Sequence, residues 1–171
     1  MTIAKKAVFG LAGWSGSGKT TLAEKLIRHI VTRGFSVASI KHAHHKFDAD
    51  VPGKDSWRHR KAGADQVLVS SAARSVHFIE HPEEEPALDD LVSQLKPCDL
   101  VLVEGYKKEA IPKLEIYRKE LDMPPLYPED SHIIAVMSDD ELAGCTLSCF
   151  ACEDIAGMAD FILAHLGLER R

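Results

Sequence analysis

The chain has 171 residues, 45% of them hydrophobic and 27% charged, with a net charge of −5. That is enough for one domain with a real core, while the acidic balance argues against a general nucleic-acid binder and no apolar run nears the roughly 20 residues that span a bilayer. The apolar run after Lys6 enters a glycine-rich loop too soon for a signal peptide, so the expected compartment is the cytoplasm, where the four cysteines, Cys98, Cys145, Cys149 and Cys152, stay reduced.

Residues 6–12 form a short apolar run ending at Gly13, the pattern of a buried strand. From 20 to 33, Leu22, Leu26, Ile27 and Ile30 recur at helical spacing, and Gly34 stands where a helix C-terminal glycine belongs. A second apolar run, 35–40, closes on Lys41. Strand, glycine loop, helix and strand make a βαβ unit, which implies parallel strands and a right-handed crossover. Residues 42–54 have no periodicity and read as a loop. Asp55 or Ser56 then caps a short helix through Lys61, stopped at Gly63.

Residues 66–70 and 75–80 read as an antiparallel hairpin. After an acidic, proline-flanked turn at 81–86, a helix over 87–95 points Leu88, Leu91, Val92 and Leu95 inward. Residues 99–103 form an apolar strand that opens on Asp99 and is followed by Glu104. Residues 113–117 and 132–137 are further strands, 121–130 is a proline-rich loop and 155–166 a closing helix. The alternation predicts an α/β, P-loop NTPase-like three-layer fold with a mostly parallel central sheet. The whole chain reads as one nucleotide-binding domain with a small antiparallel subregion at about 66–80. Ligands of such sheets sit at the carboxyl ends of the strands, where 13–20, 104–105 and 138–139 all fall.

Gly13, Trp14, Ser15, Gly16, Ser17, Gly18, Lys19 and Thr20 match G-x-x-x-x-G-K-[ST] between a strand and a helix. Glycines let successive N–H groups turn toward phosphate oxygens, and the following helix adds its positive end. Lys19 is expected to bridge the β- and γ-phosphates and Thr20 to bind Mg²⁺. Gly16 and Gly18 are the positions expected to tolerate a β-carbon least. Glu104, at the carboxyl end of its strand, is the candidate second metal ligand; Asp99 lies about 16 Å away at strand rise. Asp139 ends another strand, placed either to read a guanine or to form a solvated acidic turn or helix cap.

The segment His42, His44, His45, Asp48 and Asp50 admits three readings. It is a Mg²⁺ and γ-phosphate sensing loop with Asp48 or Asp50 as metal ligand, a Ni²⁺ or Zn²⁺ site, or a polar substrate loop. Lys54 and Arg58 suit an anionic ligand, and a solvated helix face accounts for them nearly as well. Cys145, Cys149 and Cys152 have a C-x₃-C-x₂-C spacing used by iron–sulfur clusters in radical enzymes, but small buried thiols are the better reading.

The phosphate loop, the run from Lys41 to His45, Asp48 with Asp50, the Pro-Gly-Lys-Asp-Ser segment ending at Ser56, Ala62-Gly-Ala64 and Val103-Glu-Gly-Tyr106 occur in one order. Together they resemble the molybdopterin-guanine dinucleotide biosynthesis protein B (MobB) family, from about residue 6 to the terminal helix. The resemblance implies a homodimeric, GTP-binding protein with weak GTPase activity. It would assist a MobA-like guanylyltransferase that joins GMP to molybdopterin, with no nucleic-acid or membrane partner. Carried over by position, residues Gly13 to Thr21 bind phosphates, Lys19, Thr20, Glu104 and Asp50 form the catalytic and Mg²⁺ set, and His42, His44, Lys54 and Arg58 face the nucleotide or the pterin. A metal-insertion GTPase using His42, His44 and His45, or a non-catalytic adaptor that holds nucleotide or pterin, are the alternatives.

Overall fold

The computed structural model describes residues 6–43, 47–81 and 84–169. They divide into two compact units, Met1–His42 with Leu88–Arg171, and Ala43–Ala87. The sequence reading took the chain as one domain with a subregion at the hairpin; the smaller unit reaches beyond that hairpin on both sides.

In the larger unit, the first apolar run becomes β1 (Ala7–Ala12), followed by helix α1 (Lys19–Thr32) and β2 (Val37–Lys41). Leu22, Leu26 and Ile30 lie on the buried face of α1. Its end follows from Gly34, at φ 91°. The Gly34 and Phe35 amides donate to the carbonyls of Val31 and Ile30 at 2.9 and 3.4 Å, the paired closure that a left-handed residue makes possible. Then come α3 (Leu88–Gln94), β5 (Leu100–Glu104), β6 (Lys113–Ile116), a 3₁₀ turn (Lys119–Leu121), β7 (Ile133–Met137), β8 (Ser148–Phe150) and α4 (Ile155–His165), with α2, β3 and β4 belonging to the smaller unit below.

The sheet order is β2-β5-β1-β6-β7-β8, and every pairing in it is parallel. Helices α1 and α4 pack on one face over Phe9, Leu11, Leu100, Leu102 and Leu114. Helix α3 covers the other face near Val101 and Val103. These are the three layers expected from the alternation. Parallel register places Leu11 and Lys41 each level with Glu104, so the ends of β1, β2 and β5 meet where α1 begins.

The smaller unit holds α2 (Asp55–Lys61) and an antiparallel pair, β3 (Gln66–Ser70) with β4 (Ser75–Ile79). Neither Asp55 nor Ser56 caps α2 as expected. The cap position is Lys54, with no side-chain bond to the helix, and the Ser56 hydroxyl instead donates to Asp50 Oδ1 at 2.8 Å. The Arg60 guanidinium gathers three carboxylates, donating to Glu80 at 2.5 Å, Asp48 at 2.8 Å and Asp50 at 3.3 Å. Arg60 also lies 5.1 Å from the Phe78 ring. Its own affinity for its proton rises through the bonds to Asp48 and Glu80, while the bond from Arg60 holds the Asp48 carboxyl below its usual range.

Candidate phosphate-binding site

The loop between β1 and α1 turns through left-handed backbone at Gly13, Gly16 and Gly18, with φ of 146°, 81° and 96°. The expectation for the glycines is corrected in one respect. Gly13 is sterically the tightest, because a β-carbon there would lie 2.6 Å from Ser17 Oγ and 2.7 Å from the Ile116 carbonyl oxygen. A β-carbon on Gly16 would meet only Leu121, at an ordinary 3.7 Å, and one on Gly18 would meet open space, so both are required by their φ alone. The Ser17 hydroxyl is buried and is the one buried side-chain polar atom without a hydrogen-bond partner among the described residues.

The Lys19 ammonium donates to the carbonyls of Gly13 and Trp14 at 2.9 and 2.8 Å, which fixes it across the mouth of the loop. The Thr20 hydroxyl donates to Glu104 Oε1 at 2.7 Å. The Lys41 ammonium donates to Thr20 Oγ1 at 3.0 Å and lies 3.3 Å from Glu104 Oε1. Burial pulls the Lys19 ammonium below its ordinary lysine range; Lys107 and Lys41 push the same way, and Glu104 opposes them. Trp14 Nε1–H donates to the Pro124 carbonyl at 2.7 Å, and the Lys107 ammonium lies 4.1 Å from the Trp14 ring centroid.

This set suits a phosphate chain with a hard divalent cation. Thr20 and Glu104 offer two oxygens 2.7 Å apart, the donor chemistry that Mg²⁺ prefers. The ammonium groups match phosphate charge. Lys41, read from the sequence only as a strand end and part of a motif, and Lys107 were given no site role there. Their signal was positional: one ends the strand that pairs with β5, and the other follows Glu104 by three residues.

The remaining candidates have other surroundings. Asp139 accepts the Cys152 amide at 2.8 Å and lies 3.7 Å from Arg118; the bond from Cys152 holds its carboxyl below the usual range. It ties the turn after β7 to the turn before α4. The His42 ring packs on the Tyr106 ring, centroids 4.8 Å apart. His44 and His45 lie outside the described residues. Asp50, Lys54 and Arg58 belong to the smaller unit, and the Asp50 carboxylate there also accepts the Val51 amide at 2.9 Å.

Among the described residues no cluster of three or more His, Cys, Asp or Glu side chains has the arrangement of a metal site. All four cysteines are free thiols. Cys152 is buried, and burial with a bond to Asp139 pushes its thiol up to about 11. Cys149 departs from the expected buried thiols, since it is exposed, 3.7 Å from Cys145 Sγ. Among the described residues no helix is long and apolar enough to cross a membrane.

Residues 8–139 match the family model for molybdopterin guanine dinucleotide synthesis protein B. The chain is 42% identical, over 91% of both sequences, to the molybdopterin-guanine dinucleotide biosynthesis adapter protein of Escherichia coli K12. It is 44% identical to the adapter protein of the same name from Haemophilus influenzae, over 77% of this chain and 74% of that one. The crystal structure of a MobB protein homolog from Bacillus stearothermophilus has the same fold, with a TM-score of 0.70 at 27% identity, covering 95% of this chain and 99% of that one.

Proposed function

The chain belongs to the molybdopterin guanine dinucleotide synthesis protein B family, and from that premise we propose that it is an adapter of molybdopterin guanine dinucleotide biosynthesis that binds GTP with Mg²⁺. The observation that carries the nucleotide part is the junction of the phosphate loop with Thr20, Glu104 and Lys41, joined at 2.7, 3.0 and 3.3 Å. Main-chain N–H groups at the start of α1 and the Lys19 ammonium hold the phosphates. Thr20 and Glu104 are the residues to hold Mg²⁺, which supplies charge neutralisation of the phosphate oxygens when bound. Hydrolysis is slow, because Lys19 and the loop amides stabilise charge on the terminal phosphate while no side chain of the described site is aligned to activate water.

The adapter role is supported by the names of the two curated relatives. The partner is a guanylyltransferase that attaches GMP to molybdopterin. A homodimer is supported by the hairpin of the smaller unit, which leaves Val69 and Val76 exposed as a cross-strand pair on one face and Leu68 exposed on the other, apolar side chains that a second copy could cover.

The test is calorimetric titration of GTP, ATP and GDP with Mg²⁺, with and without molybdopterin. GTP is expected to bind more tightly than ATP, and the pterin to strengthen it. Equal binding of ATP, unmoved by the pterin, removes the guanine assignment. Absence of any triphosphate binding removes the site.

A further inference from the structure

Beyond Lys19 and Lys41, the fold delivers a further cation to the phosphate loop. Past Glu104 the chain reverses through two consecutive left-handed residues, Gly105 at φ 97° and Tyr106 at φ 50°. A β-carbon on Gly105 would lie 2.8 Å from His42 Cβ, so both backbone and space favour glycine there. The reversal brings the Lys107 ammonium 4.1 Å from the centroid of the Trp14 ring, in the phosphate loop itself.

A second lysine fixes the segment that carries Lys107. Lys113 is 1% exposed. Its ammonium donates to the carbonyls of Lys107 and Glu109 at 2.9 and 2.8 Å and pairs with Asp130 at 2.7 Å. Three donors meet three acceptors, which satisfies a buried ammonium and leaves the Lys107 backbone little freedom.

Lys41 pairs with Glu104, Lys107 lies over Trp14, and both lysines raise the cost of charging Lys19, which Glu104 offsets. Gathering like charges is unfavourable unless an anion shares them. In phosphate-loop proteins the metal ion bridges the β- and γ-phosphates. Thr20 and Glu104 would hold that ion here, which would set the terminal phosphate toward the end of β5, in the loop where the Lys107 ammonium meets Trp14.

We propose that Lys107 is a second phosphate-facing cation that contacts the terminal phosphate of the bound nucleotide, so that the site distinguishes a nucleoside triphosphate from a diphosphate. The inference rests on the nucleotide reading given above and assigns the group that senses the last phosphate. Lys113 is the positioning residue that sets its reach.

The experiment compares Mg²⁺-GTP and Mg²⁺-GDP affinities by calorimetry for the intact chain, Lys107→Gln, Lys107→Arg and Lys19→Ala. Lys107→Gln removes the ammonium that lies over Trp14 and keeps a polar side chain there. It is expected to weaken GTP by about tenfold and GDP by less than about threefold, the scale of one charge-assisted contact. Lys107→Arg recovers most of the GTP affinity, whereas Lys19→Ala weakens both nucleotides. If the unaltered chain binds GTP but Lys107→Gln moves GTP and GDP equally, or moves neither, the Lys107 assignment is wrong and the nucleotide site stands. If the unaltered chain binds neither nucleotide, both fall together.

Discussion

Charged residues inside β6 decide more than its hydrophobic ones. Lys113 and Glu115 are both buried, on a strand whose apolar neighbours disguise them in the sequence. Glu115 accepts the amides of Leu126 and Tyr127 at 2.7 and 2.8 Å, and burial pushes its carboxyl up. Lys113 holds the segment after β5 and pairs with Asp130. Burial pushes the Asp130 carboxyl up, but bonds from Lys113 and His132 outweigh it and hold it below the usual aspartate value. A carboxyl with a lowered folded value contributes stability that is complete above the unfolded value near 4 and is lost as pH falls through the folded one. Asp130→Asn is therefore expected to cost about 3 kcal/mol at pH 7, since it strands a buried ammonium. The gap to the unaltered chain should begin to shrink below about pH 4 and close as pH falls past the lowered Asp130 value. Urea unfolding at pH 7 and pH 3 measures both, and a gap independent of pH refutes the ion-pair origin.

At the scale of elements, what could be read from the sequence divides by distance along the chain. The phosphate loop was legible because its glycines, Lys19, Thr20 and the flanking strand and helix are consecutive, and each has a local reason. The hairpin and the long apolar strands were legible for the same reason. Strand β8 was missed, because Ser148, Cys149 and Phe150 are too few to show alternation and pair only once β7 is in place. The expected caps of α2 failed because Ser56 is drawn to Asp50, a contact outside the helix. The site roles of Lys41 and Lys107 were missed because the pairing of β2 with β5 brings Lys41 to Glu104, while the turn after β5 brings Lys107 to Trp14. That pairing is fastened at its start by Asp99, whose carboxylate accepts the Ser36 amide and hydroxyl at 2.7 and 2.6 Å. Asp99→Ala is expected to cost about 1 kcal/mol through the lost bonds. It should also speed amide exchange at the start of β2 while leaving GTP affinity unchanged. Loss of exchange protection across all six strands would instead mean global unfolding.

At the scale of the molecule, the two units differ in how they are held together. The larger has a continuous core on both faces of its sheet. The smaller buries Val67 alone among its described hydrophobic side chains, and relies on Arg60 and its three carboxylates. A hairpin and one short helix are marginal without further cover, which is why the smaller unit is the expected dimer surface. Leu68→Lys is expected to shift the chain from dimer to monomer by ultracentrifugation, with GTP affinity changed less than about threefold, as befits a site built in the other unit. A dimer that persists at micromolar concentration places the interface elsewhere.

The indole of Trp14, in the loop between β1 and α1, is fastened to Pro124 and capped by the Lys107 ammonium. The chain has one other tryptophan, Trp57, in the smaller unit. In a Trp57→Phe background Trp14 is the single tryptophan, set in the loop proposed to hold phosphate. A cation on one face of an indole tunes its emission colour, so withdrawal of that cation onto an incoming phosphate is a change in light. Emission on addition of Mg²⁺-GTP would then report, without a label, whether the proposed withdrawal takes place.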